Sequence, residues 1–259
     1  MGAAVESVGE ATRFVRHSPL VIVLAVVGTG VSMLVLGLSA MALSPLLALP
    51  IAGIFTAGVV AAIDQTRASG RQSALGAYAP ALQRTWQQVV VAYLIVVVLL
   101  MLVVAILFEG LPYVGASVIL GAGALETGSP LDMGTWGLVG LGILLVVFAV
   151  LVALAVVAQF LDVAIAIGNA DVVDSFRESL RLVRTGPGSV VGYTAIRVGF
   201  LVGGLLPPLV VVGLGRPLIG ASVATLLGVA VGLVTVALSV TVQWVYHVEY
   251  YRRRATDLP

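Results

Sequence analysis

Apolar residues in this chain come in long runs, without the strict alternation of a half-buried strand. A hydrocarbon core of about 30 Å needs about 20 apolar residues in a helix. Stretches of that length or longer predict spans at about 19–39, 43–63, 87–108, 137–167, 189–212 and 218–246. Ser39, Ser44, Pro45 and Pro50 interrupt the first long run, which predicts a tight hairpin there. Pro207, Pro208 and the segment 213–217 are expected to break the last run in the same way. Strands are excluded because an open sheet edge cannot face lipid.

Three segments between these runs are amphipathic and predict interfacial helices at about 3–17, 72–85 and 170–185. In the third, Val172, Val173, Phe176, Leu180 and Val183 fall on one helical face. Asp174, Arg177, Glu178, Arg181 and Arg184 take the remainder. Leu75, Tyr78, Leu82 and Trp86 recur at helical spacing in the second, with Pro80 expected to kink it or delay its start. The first aligns Val5, Val8 and Val15, with Ser7 and Glu10 placed as a capping box. Each segment closes alike: an apolar residue, one step, Arg16, Arg84 or Arg184, a polar residue, then a span. The expected fold is therefore all-α and polytopic, a single transmembrane domain over 1–259. Its six spans form three hairpins, each preceded by an amphipathic helix.

Arginine placement gives an orientation. Arg13 and Arg16 precede the first span; Arg67, Arg71 and Arg84 fall between the second and third. Arg177, Arg181 and Arg184 fall between the fourth and fifth, and Arg252, Arg253 and Arg254 follow the sixth. The alternate loops hold only Arg216. The positive-inside rule then expects a multi-pass cell-membrane protein with both termini in the cytoplasm. Trp86, Tyr113, Trp136, Trp244 and Tyr246 lie near span ends, where amphipathic rings prefer the interface. Glu6 and Glu10 argue against a cleavable leader, as does the length of the apolar run that follows. The long connection 109–136 is expected as an outer loop dipping into the leaflet, with a re-entrant loop as the alternative.

Composition sharpens this picture. Hydrophobic residues make up 60 % of the 259 positions and charged ones 10 %, against about 45–50 % and about 25 % in soluble domains. That excludes a soluble enzyme and a disordered chain. All 13 basic residues are Arg, a usage that points to a GC-rich genome such as an archaeal one. A net charge of +1 gives no field for nucleic acid. Cys is absent and only His17 and His247 are present, so no metal, cofactor or thiol chemistry is expected. Phosphate loops with Lys, the His-Glu-x-x-His motif and the Gly-x-Ser-x-Gly motif are missing. No catalytic residue is assigned, and the protein is not expected to be an enzyme.

Charges inside apolar spans need partners, at about 2.5–3.5 kcal/mol each on insertion scales. Asp162 and Arg197 are such charges, on consecutive antiparallel spans, and could pair. With Gln159, Ser239, Gln243 and His247 they form a candidate polar cluster in the cytoplasmic half of spans four to six. Tyr193, Thr194 and Thr235 lie nearby. The cluster reads as a structural network, as a cavity for a small solute or headgroup, or as an ion relay. Arg16, Arg84, Arg177, Arg181 and Arg184 are candidate headgroup contacts. Gly199 with Gly203, and Gly228 with Gly232, are spaced for close helix packing within the chain.

The segment from Gln159 to Arg184 and the ending 244–252 resemble multi-pass membrane proteins of unknown function from halophilic archaea. More distantly, they are similar to bacterial six-span families that share a helix reading Asp, aromatic, Arg, x, Ser, Leu, x, Leu, Val before a span. Asp174, Phe176, Arg177, Ser179, Leu180, Leu182 and Val183 carry that pattern here. The resemblance covers mainly 155–200 and the C-terminal end. It implies six helices and a cytoplasmic amphipathic helix, and it carries no catalytic residues. The expected role is interaction with membrane lipids, with another membrane protein or with a second copy, as a scaffold or complex subunit. A small transporter built on the polar cluster is the alternative.

Overall fold

The structure is a computed structural model that describes the backbone of residues 2–42, 45–69, 74–127 and 130–256. Side chains are described within 3–18, 20–31, 49–68, 78–109 and 142–256. The described residues form helices joined by short turns, with no strand among them. The helices are α1 (Gly2–His17), α2 (Pro19–Ala42), α3 (Pro45–Ser69), α4 (Ala74–Thr127), α5 (Pro130–Ala158), α6 (Leu161–Ala166), α7 (Val172–Thr185), α8 (Pro187–Ile219) and α9 (Ala221–Thr256). They divide into two compact units, one of Met1–Ala92 with Phe160–Pro259, the other of Tyr93–Gln159. Five helices are long and apolar enough to cross a membrane, or six if α1 and the start of α2 count together as a bent span.

The first unit shows why its amphipathic helices stop where they do. Ser18 closes α1, its carbonyl accepts from the Val21 amide at 3.0 Å, and Pro19 opens α2. Gly186 does the same after α7, accepting from the Ser189 amide at 3.0 Å ahead of Pro187. Proline suits the first helical position because its missing N–H would be unpaired there anyway. The chain turns through 106° between 3–17 and 20–31.

The second amphipathic segment lacks this device. Thr85, Trp86 and Gln87 stand where the others have Ser-Pro or Gly-Pro, and no separate helix over 72–85 forms. One helix, α4, runs 54 residues through Pro80, the third predicted span and most of 109–136. At 1.5 Å per residue that is about 80 Å. The outer loop expected at 109–136 is thus helical to Thr127 and again from Pro130. Where every backbone group must be satisfied internally, an apolar run stays helical through scattered Gly and Pro. The second unit comprises this half of α4 and α5; Val98, Leu102, Phe108, Val146 and Phe148 are exposed in it. Leu75, Tyr113 and Trp136 lie outside the described side chains.

Two further boundaries differ from expectation. Span four is interrupted at Gln159 and Phe160, after which the six residues of α6 are all buried. The break expected at 207–217 is displaced to Gly220, which takes φ +82. Pro207, Pro208 and Pro217 are absorbed within α8. Pro208 cannot donate to the Gly204 carbonyl four residues back. The Thr235 hydroxyl of α9 donates to that carbonyl instead, at 2.8 Å.

Small residues bring helices close. A side-chain carbon at Gly228 would meet Val212 Cγ2 at 2.3 Å, and one at Gly232 would meet Pro208 Cβ at 3.2 Å. The pair therefore packs within the chain, as expected. Gly199 and Gly203 face open space, and Gly204 makes the contact instead, against Ser239. Gly28 of α2 receives Val59 of α3, which closes the first hairpin.

Candidate functional site

The buried α6 brings Asp162 into the centre of the first unit. Asp162 Oδ1 accepts from the Val163 amide at 2.9 Å and lies 3.2 Å from His247 Nε2 of α9. The other ring nitrogen, Nδ1, is hydrogen-bonded to the Tyr193 hydroxyl of α8. Arg197, one turn further on, donates to that same hydroxyl from Nη1 at 3.1 Å. With its amide turned oxygen-first, Gln243 accepts from Arg197 Nε at 3.0 Å and from Nη2 at 3.3 Å. A polar chain thus runs from Asp162 through His247, Tyr193 and Arg197 to Gln243. Asp162 and Arg197, which the sequence allows to pair, are linked here through His247 and Tyr193. Asp162 keeps 5 % of its surface, His247 1 % and Tyr193 none.

Aromatic rings seal the chain. Phe160 stacks near Tyr193 (5.2 Å), Tyr250 (5.9 Å) and the His247 ring (6.0 Å). Tyr193 also stacks on Tyr250 at 4.4 Å and on Tyr246 at 5.2 Å. Such pairs add about 0.5–1.5 kcal/mol each beyond their burial. Tyr246, expected at the interface, is fully buried in this cluster. Trp244 donates from Nε1 to Thr29 of α2 at 3.0 Å. The signal for the cluster was present in Tyr246 and Tyr250, one helical turn apart, facing Tyr193 on the preceding span.

Another predicted member takes a different partner. Ser239 donates to the Phe200 carbonyl and so ties α9 to α8. Gln159 sits in the turn between α5 and α6, at the edge of the second unit. Hollows occur elsewhere in the first unit. An apolar one of about 360 Å³ is lined by Val26 and Gly30 with Val229, Leu233, Val236 and Val240. A polar one of about 480 Å³ is lined in part by Asp64, Gln65, Arg84 and Asn169.

At the end of the helices beyond the aromatic cluster, charges gather that sequence reading did not pair. Arg252 reaches Asp64 at 2.5 Å, and Arg67 reaches the buried Glu249 at 2.7 Å. Arg253 bridges Glu6 and Glu10 of α1. Arg254 donates to Thr185 at 3.0 Å, and the Tyr251 hydroxyl donates to Glu178 at 2.5 Å. The hydrogen bond from Arg253 holds the Glu10 carboxyl below its usual range, against an opposing effect of burial. Glu10 is therefore an ion-pair partner, and Ser7 is no cap, since its hydroxyl donates to the Ala3 carbonyl inside α1. The predicted apolar face of α1 is also redrawn: Val5 is exposed, and Ala4, Ser7, Ala11 and Val15 are buried.

The five candidate headgroup arginines share this end. Arg16, Arg84, Arg177, Arg181 and Arg184 are all exposed. Arg84 also donates to the Ala166 carbonyl at 3.5 Å, and Arg177 pairs with Asp174 at 3.2 Å.

An all-helical chain with several helices long and apolar enough for a bilayer, and a largely buried polar chain among them, is of the membrane-protein class. Residues 3–254 match the family described as domain of unknown function DUF7847, and the chain belongs to that family. No curated protein and no solved structure matches it.

Proposed function

We propose that the protein is a non-enzymatic multi-pass membrane protein that acts by interaction, as a scaffold or complex subunit, with lipid or with another membrane protein. One contrast carries this reading. The polar side chains from Asp162 to Gln243, buried at Asp162, His247 and Tyr193 and half-buried at Arg197 and Gln243, bond to one another, while arginines at the same end stay exposed. A network of this kind fixes the rotation and register of α6, α8 and α9. In this reading six spans cross the cell membrane and both termini lie in the cytoplasm, as arginine placement requires. The helices α1 and α7 lie at the cytoplasmic interface in this reading, which the resemblance to haloarchaeal membrane proteins supports.

A transporter reading rests on the ionisable residues within the spans, which are often functional. It requires water to reach Asp162. Because the chain has no cysteine, single variants D162C and Q243C can be probed with a membrane-impermeant thiol reagent in nanodiscs. The interaction reading expects both to stay unlabelled until the protein is denatured. Rapid labelling of folded protein at either position would instead favour transport.

A further inference from the structure

The four faces of α7 are used unequally. Ser175, Ser179 and Leu182 are its buried residues, so a small, partly polar face is what packs on the bundle. Next round the axis, at about 3.6 residues per turn, comes an apolar stripe of Val172, Val183, Phe176, Leu180 and Val173. Val173 remains 57 % exposed and Leu180 37 %. Beyond the stripe stand Arg184, Arg177 and Arg181, all exposed. Asp174 and Glu178 complete the circle, Glu178 held by the Tyr251 hydroxyl. An amphipathic helix on a soluble protein turns its large apolar residues inward. Here the bundle takes Ser175, Ser179 and Leu182, half-covers Val172, Phe176 and Val183, and leaves Val173, Leu180 and the arginines exposed.

The position of α7 says what covers that stripe. Only Gly186 separates it from α8, a helix of spanning length whose Val191, Val198 and Leu201 are exposed apolar residues. The C-terminal end of α7 is therefore anchored where a spanning helix begins. Its N-terminal end is fixed by Asp171, whose carboxylate accepts from the Asp174 amide at 2.8 Å. A stripe bordered on one side by guanidinium groups, at the mouth of a span, matches the boundary between acyl chains and phosphates.

We infer that α7 is a binding surface for anionic lipid, lying in the interface with its Val173 and Leu180 stripe in the acyl boundary and Arg177, Arg181 and Arg184 on headgroup phosphates. This rests on the interaction reading above and names its partner. Arg16 and Arg84 are not part of this surface. The apolar stripe sets the depth, and the arginines set the lipid preference.

The test uses the full chain in nanodiscs, with a bimane fluorophore on L180C or, as a second position, V173C. Quenching is read with acyl-brominated phosphatidylcholine and with acyl-brominated phosphatidylglycerol at equal mole fraction. The expected result is quenching by both lipids, stronger for the anionic one. Preference should fall by about fivefold for each arginine removed in R177A, R181A and R184A. Equal quenching by the two lipids, with no effect of the arginine variants, would overturn the anionic assignment. Quenching by aqueous iodide alone would overturn the interfacial placement. Shielding from lipid and iodide together would mean a protein covers the stripe, and would also overturn the inference. Labelling of D162C in the same nanodiscs reads the interaction proposal separately, whichever way the quenching falls.

Discussion

At the scale of single residues, His247 holds the structure's most demanding position. It joins a buried carboxylate to a buried phenol, so its loss leaves both without that partner in an apolar surround. Leaving a buried polar group without its hydrogen-bond partner costs about 1–3 kcal/mol, and H247A does so at two groups. H247A should therefore lower thermal stability in detergent by about that much. Equal stability of H247A and wild type would remove the polar chain as a structural element. Glu10 gives a prediction in pH. Its folded value lies below the usual carboxylate range because Arg253 donates to it. Its stabilising contribution is complete above its unfolded value and is lost as pH falls through the lowered folded one. Melting temperatures of wild type and E10Q should differ near neutral pH and converge in acid, with the gap narrowed by salt. Asp162, Arg197, Gln243 and His247 were legible in the sequence because each is an anomaly in an apolar run. Their mediated pairing was not, because it depends on a six-residue helix that no periodicity announces.

Elements follow from punctuation as much as from hydropathy. The long apolar runs that became α2, α3, α8 and α9 were legible from their length, although the break between α8 and α9 falls at Gly220 and not at the prolines. The long α4 was misread because its amphipathic start resembles the other two segments. Only the absence of a Gly-Pro or Ser-Pro step distinguishes it. The reverse error occurred in α8, where Pro207 and Pro208 read as a break. A partner hydroxyl on Thr235 supplies the hydrogen bond that Pro208 removes, and a partner on another helix is invisible to local reading. The double variant G186A with P187A should fuse α7 to α8 into one helix like α4. Spin labels at L180C and V191C should then move to about 16 Å apart, the rise of eleven helical residues. An unchanged distance distribution would show that tertiary contacts, such as Tyr251 with Glu178, bend the chain without help from Gly186 and Pro187.

For the whole molecule, the account depends on one asymmetry. Ion pairs join α1, α3 and α9 at a single end, through Arg67, Arg252 and Arg253. The exposed arginines of α7 share that end, which Arg254 ties to Thr185. At the other end, the turn from α8 to α9 has Arg216 for its charge. This pattern was readable from arginine spacing alone; the acidic partners were not, because ion pairs between distant helices leave no mark in sequence order. The most direct measurement is labelling of single cysteines in sealed cells with a membrane-impermeant thiol reagent, using R16C, R184C and A221C. The account predicts labelling at A221C in intact cells, and at R16C and R184C only after the membrane is opened. Labelling of R184C from outside the intact cell would contradict it.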